Sequence, residues 1–215
     1  MVWCESLNSQ EITIDRDIEI AVAAAFIVLV AVSLYSAIIA SEPLIRLELL
    51  ASIPLNVLAS VSFLSRETAK EGTERKEIII PAVSFVLPFL VMNNILLYPV
   101  QYSTSYGLVI AVPGIVLASS SLIVLRRSFS ILPAVRKITS SGPYRFVRHP
   151  LYLGESIYLI GMMFLAFNVL SIVLLVSSFV LLVIRIGIEE RKLSSYQDYQ
   201  DYMLAVRFKL IPGLF

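Results

Sequence analysis

One short stretch concentrates the side chains able to do chemistry: Ser140-Ser141-Gly142-Pro143-Tyr144-Arg145-Phe146-Val147-Arg148-His149-Pro150-Leu151-Tyr152-Leu153-Gly154. It holds the single histidine of the chain, two arginines and three aromatic rings, and it runs straight into a long apolar block. Gly142-Pro143-Tyr144 predicts a turn, because proline fixes φ and glycine accepts backbone angles that other residues avoid. Pro150 has no backbone N–H to lose and suits the first turn of a helix, which puts His149 at or just before a helix start. Such an N-terminus presents amide donors and a partial positive charge, useful for holding an anionic group of a cofactor or substrate. Taken singly, His149 also fits a structural role, and Arg145 and Arg148 fit as ordinary positive charges facing lipid headgroups.

A second polar cluster, Arg185 with Glu189 and Glu190, closes the apolar block. Arg185 and Glu189 are four residues apart and share one helix face, close enough to pair. Glu190 points about 100° further round. Helices leaving a membrane often end in charged residues, but Arg185 precedes Ile186-Gly187-Ile188 and so lies about a turn deeper than an exit charge needs to be. An arginine at that depth is costly unless it is paired or faces a wet cavity, and its guanidinium can hold a carboxylate bidentately. The expectation is that the two clusters meet and that their meeting point is an active site.

The elements that must position them are membrane helices. Of the 215 residues, 58% are hydrophobic, and the mean hydropathy of +0.84 is too high for an ordinary soluble domain. The predicted class is an all-α integral membrane protein with about six transmembrane helices. Spans are predicted over 18–40, 43–64, 78–98 and 105–125, each long enough for a hydrocarbon core of about 30 Å. The block Leu151 to Ile188 is too long for one crossing. A break at Phe167-Asn168 makes it a tight helical hairpin, spans five and six. Pro113-Gly114 at the middle of span four predicts a kink. The segment 65–77 alternates charge sign and belongs in water. From Leu193 to Leu204 the repeat Tyr196-Gln197-Asp198-Tyr199-Gln200-Asp201-Tyr202 suits an interfacial helix, either as an anchor without chemistry or as a pocket wall. Residues 1–125 therefore form an N-terminal membrane part of about four helices, and 126–215 the part that carries the chemistry.

Charge excludes some partners and sets an orientation. Lys plus Arg (17) balances Asp plus Glu (16), so nothing suggests nucleic acid. Cys4 is the only cysteine, which excludes an internal disulfide and a cysteine-based metal cage; no metal is expected. The polar, acidic start lacks the pattern of a cleaved signal peptide and is expected to remain attached. With six spans, every lysine and arginine except Arg46 falls on one side, which the positive-inside rule makes cytosolic, together with both termini and both polar clusters.

Gly142-Pro143-Tyr144, then Arg148-His149-Pro150-x-Tyr152-x-Gly154, then Arg185-x-x-x-Glu189-Glu190, then the tyrosine repeat and the ending Arg207-Phe208-Lys209-Leu210-Ile211-Pro212 together resemble the isoprenylcysteine carboxyl methyltransferase family, within the membrane phospholipid methyltransferases. The resemblance covers roughly 130–215 and rests on the set of spaced elements in order. It implies S-adenosyl-L-methionine bound in a cytosol-facing pocket, with cofactor contacts on Arg136, Lys137, Ile138 and Thr139, on Tyr144, on His149, Pro150, Leu151 and Tyr152, and on Glu189 and Glu190. It also implies that Arg185 holds the methyl-accepting carboxylate and that Arg185 and Glu189 are the catalytic pair.

The implied reaction is methyl transfer to a lipid-modified acceptor, a prenylated cysteine carboxylate or a similar isoprenoid. A carboxylate is already ionised at neutral pH and needs no general base; alignment and exclusion of water are what the protein must supply. An amine headgroup such as that of an aminophospholipid is the alternative acceptor. Sterol-type membrane reductases using NADPH share an Arg-His-Pro-x-Tyr-x-Gly element, but they usually carry Asn or a similar residue where this chain has Leu151, and they lack the Arg-x-x-x-Glu-Glu helix end. A scaffold or small transporter would carry ionisable residues at mid-depth, and the middles of spans one, three, four, five and six have none.

Overall fold

The computed structural model describes residues 2–39, 43–64, 80, 83–84, 104–125, 138–165 and 167–213. Among them are six α-helices and no strand: α1 (Val2–Ile39), α2 (Pro43–Leu64), α3 (Thr104–Leu125), α4 (Pro150–Leu165), α5 (Val169–Leu193) and α6 (Gln197–Ala205), with a 3₁₀ turn at Gly142–Arg145 before α4. The third expected span is represented only by Ile80, Val83 and Ser84. The segments 65–77 and 126–137, with Arg136 and Lys137, lie outside the described residues.

Helix boundaries follow local chemistry. No glycine or proline occurs between Val2 and Ile39, so the polar start and the first apolar run form one helix of 38 residues rather than a separate tail and span. Asn168 ends the connection after α4: in extended conformation, its side-chain oxygen accepts from Ser171 N at 2.9 Å and starts α5, as an N-cap should. Arg191 and Lys192 close the last turn of α5, where positive charge suits the helix dipole.

Tyr106–Leu125 and Val169–Leu193 are long and apolar enough to cross a membrane; Ala23–Ile39, Ser52–Ser62 and Pro150–Leu165 are shorter apolar helices. Val109, Val116, Val173, Val176 and Val180 stay exposed on the outer faces, which fits a lipid-facing surface. With lipid outside, helices associate through close contact of small residues more than through hydrophobic exclusion.

The α3–α4 seam shows this most clearly. Gly107 meets Leu165, Ala111 meets Gly161, Gly114 meets Tyr158, and Ala118 meets Gly154; the reversed order makes the pair antiparallel. A Cβ placed on Gly154 would lie 2.5 Å from Ala118 N, and one on Gly161 2.5 Å from Ala111 N. The helix runs on through Pro113, and Gly114 beside it serves backbone approach. On α2, buried Ser52, Asn56, Ala59 and Ser60 repeat the small-residue pattern; Ala59 joins Ala23 and Phe26 of α1 and Leu122 of α3 in one cluster. On α5 the buried positions Ser171, Leu175, Ser178, Leu182, Arg185 and Ile186 form one inward stripe, the 3.6-residue period of a one-sided helix. Arg185 belongs to that stripe and is only 4% exposed.

Candidate active site

The site forms where α4 starts, α5 stops and the chain after α6 comes back over both. Val206 to Lys209 is drawn in by main-chain pairing: Arg148 N donates to Phe208 O and His149 N to Lys209 O, both at 2.9 Å. Two amides just ahead of α4 are thereby engaged by the chain's own carbonyls.

Glu190 is the centre of an internal charge cluster. Its Oε1 accepts from Arg148 Nε at 2.7 Å and lies 3.2 Å from His149 Nε2, and its Oε2 is 3.0 Å from Lys209 Nζ. Arg148 also donates through Nη1 to Val206 O and Arg207 O, each at 2.9 Å. Arg148 and Glu190 are both buried, so the guanidinium exchanges its hydration for a carboxylate and two carbonyls. A charge buried in this way is tolerated because it is both paired and hydrogen-bonded. Taken singly, Arg148 fitted an ordinary lipid-facing charge, and Lys209 had no role beyond its place in the motif. Arg145 does stay exposed, with its guanidinium 5.2 Å from the Phe146 ring centroid.

Tyr152 joins the remaining polar groups. Its ring stacks on His149, centroids 5.5 Å apart with 9° between planes. Its ring also carries the Arg185 guanidinium 4.8 Å above the centroid, and its hydroxyl donates to Glu189 Oε2 at 2.8 Å. His149, Arg185 and Glu189, all picked out from sequence, thus meet through one aromatic side chain. Substituting Tyr152→Phe removes only the hydroxyl that holds Glu189. A hydrogen bond to a charged group is worth about 1.5–3 kcal/mol, so thermal unfolding in detergent should show a drop of that order with the helical circular dichroism unchanged. An unmoved melting curve would show that Glu189 does not depend on this bond.

The tyrosine repeat forms a wall. Tyr199 and Tyr202 are buried and pack with Val206, against Ile138, Leu193 and Met203. Tyr202 donates to the carbonyl of Tyr144 at 2.6 Å and so ties α6 to the 3₁₀ turn. Burial pushes the Tyr202 phenol up to about 12, so this donor keeps its proton at any physiological pH. Burial also raises Tyr144, with the Glu189 charge adding to it, and raises Tyr199, with Glu190 and Glu189 adding. The Tyr199 hydroxyl is buried and has no hydrogen-bond partner among the described residues.

Of the remaining positions expected to touch a cofactor, Ile138 and Thr139 are half-buried, Pro150 is fully buried, and Leu151 packs between two core clusters. The groups missed from sequence, Arg148, Tyr199, Tyr202 and Lys209, all sit inside motifs that sequence reading had quoted. What was missing was the fold that turns them inward.

The described residues thus form an all-helical body in which an Arg-His-Pro helix start folds against an Arg-x-x-x-Glu-Glu helix end. Residues 102–198, the segment that holds both clusters, match the phospholipid methyltransferase family. Its fold is similar to that of a eukaryotic intramembrane Ras methyltransferase, an isoprenylcysteine carboxyl methyltransferase, with a TM-score of 0.55, 24% sequence identity, and coverage of 91% of this chain and 77% of that one. No curated protein sequence matches the chain.

Proposed function

We propose that the chain transfers the methyl group of S-adenosyl-L-methionine to the carboxylate of a prenylated cysteine or a similar isoprenoid lipid, at the cytosolic face of a multi-pass membrane body of about six spans. In this reading residues 1–125 are the membrane part, 126–215 the methyltransferase core, the last two spans a hairpin, and α6 lies at the membrane surface. The observation that carries the proposal is the convergence of His149, Arg185 and Glu189 on Tyr152.

The residues present suit the cofactor. It is a nucleoside with an ammonium, a carboxylate and a sulfonium; the site offers the Glu189 carboxylate, the rings of Tyr144, His149 and Tyr152, and the Tyr199 hydroxyl. Bound there, it supplies a methyl group on positive sulfur, to be taken by a carboxylate oxygen while the electron pair of the carbon–sulfur bond stays on sulfur. No proton moves, so the chain needs no general base. Arg185, held over the Tyr152 ring, orients the acceptor carboxylate, Glu189 anchors the cofactor's ammonium, and Glu190 acts as a positioning residue that fixes Arg148 and His149. The buried tyrosines keep water from the methyl group.

Purified protein should bind S-adenosylhomocysteine by calorimetry, and membranes given radiolabelled cofactor should label a farnesyl-cysteine analogue in preference to an aminophospholipid. Arg185→Ala removes one charged hydrogen-bonding group from the acceptor, worth about 1.5–3 kcal/mol. Its transfer rate should therefore fall about 10- to 150-fold with S-adenosylhomocysteine binding largely kept. Labelling of the aminophospholipid alone would move the acceptor to amines. A thermal shift with NADPH and none with S-adenosylhomocysteine would replace the reading with a reductase.

A further inference from the structure

The proposed reaction uses the end of the α4–α5 seam and leaves unexplained the space next to it. Glu155, Ser156 and Leu159 of α4, Ser178, Phe179 and Leu182 of α5, and Ser84 line a small cavity with room for about one water-sized group. Its walls continue the faces that form the site. On α4, Glu155 and Ser156 lie one turn beyond Tyr152; on α5, Leu182 and Ser178 lie one and two turns before Arg185. The cavity wall therefore begins about 5 Å along the helices from the Tyr152–Arg185 contact.

The wall is mostly apolar, and what sets it apart from a plain hydrocarbon channel is one ionisable group with a hydroxyl beside it. Glu155 is a half-buried carboxylate inside an apolar helix, where an ionisable group is costly and by default marks function. The Ser156 hydroxyl is buried with no hydrogen-bond partner among the described residues, whereas Ser178 donates to Leu174 O at 2.8 Å. A carboxylate beside a hydroxyl calls for a ligand that donates, by preference a cationic or amide nitrogen. A nitrogen bonded to the carbon that bears a carboxylate lies about 2.5 Å from the carboxyl carbon, and a hydrogen bond adds about 2.8 Å. A ligand carrying both groups can therefore reach from Arg185 toward the neighbouring helical turn that bears Glu155.

We propose that this cavity receives the nitrogen of the acceptor, and that Glu155 is a specificity-determining residue selecting lipidated amino acids over isoprenoid acids that lack nitrogen. The assignment rests on the carboxylate-acceptor reading. With the carboxylate on Arg185, the N–H on Glu155 and the chain passing Phe179 and Leu182, the acceptor is held at three points.

Three ligands test it on the purified full chain by competition binding with S-adenosylhomocysteine present: S-farnesylcysteine, its N-acetyl derivative, and S-farnesylthiopropionic acid, which has the same carboxylate and no nitrogen. Wild type should bind one or both nitrogen-bearing ligands at least tenfold more tightly than the deamino acid, and Glu155→Gln should reduce that ratio to within about threefold. Preference for the free amine identifies a lipidated amino acid, and preference for the N-acetyl form a peptide terminus. Ser156→Ala should lower the same ratio, and S-adenosylhomocysteine binding by both variants confirms that they fold. Equal binding of all three ligands by wild type, or a ratio unchanged in Glu155→Gln, overturns the assignment and leaves methyl transfer to a carboxylate untouched. Discrimination that follows Glu155 in a protein that methylates none of the three would keep the nitrogen site and sink the proposed reaction.

Discussion

Glu190→Ala is expected to lower stability by about 3–5 kcal/mol, the usual result of removing one partner from a buried ion pair, and to abolish binding of S-adenosylhomocysteine. Both Arg148 and Glu190 are buried, and the carboxylate receives Arg148 Nε at 2.7 Å, His149 Nε2 at 3.2 Å and Lys209 Nζ at 3.0 Å. Alanine would leave the Arg148 guanidinium, among the described residues, with the two carbonyls at Val206 and Arg207, and the returning segment 206–209 would lose its Lys209–Glu190 contact. Because that segment also engages the amides of Arg148 and His149, its release disorganises the start of α4. Thermal unfolding in detergent and calorimetry measure the two effects. The Glu190→Leu, Arg148→Met pair should recover part of the stability without the binding, since an apolar pair has no stranded charge. A melting temperature within a degree of wild type in Glu190→Ala would show that the cluster is solvated and carries little energy.

Gly114→Val is expected to cost about 3 kcal/mol or more, at the upper end of overpacking effects. A Cβ at position 114 would run into the Tyr158 backbone nitrogen, and would sit 2.7 Å from Gly154 O and 2.9 Å from Tyr158 Cα. The obstacles are main-chain atoms of α4, and no rotamer change can move them. Relief requires the two helices to part, and α4 is the helix that presents His149 and Tyr152. Methyl transfer should therefore fall together with stability. Gly187→Ala in α5 is the control: a Cβ there meets nothing within 4 Å among the described residues, and alanine is the better helix former by about 1 kcal/mol, so its melting temperature should stay level or rise. Similar losses from both substitutions would remove close backbone packing as the cause.

The turn at Gly142-Pro143-Tyr144, the start of α4 at Pro150 and the break at Asn168 were legible because each depends on a local backbone rule. The resemblance of residues 102–198 to the phospholipid methyltransferase family was legible for a related reason: spaced motifs persist where side chains must share a site. The unusual depth of Arg185 was legible too, since an arginine one turn inside an apolar helix needs a partner, and it does lie in the buried stripe of α5. The one-helix form of Val2–Ile39 was not foreseen, because hydropathy reports where lipid would begin rather than where a helix does.

Amino-acid order by itself determined that the chain is helical, that its apolar runs suit a membrane, and that two polar clusters flank one apolar block. Only the tertiary structure decided that Arg148 turns inward to Glu190, that Lys209 joins it from the far end of the chain, that Tyr152 lies under Arg185, and that Tyr199 and Tyr202 face inward as a wall. Period and turn chemistry are written within a few neighbouring residues. Whether a charge is paired or solvated depends on partners 40 to 60 positions away, and nothing in local sequence says which of them will arrive.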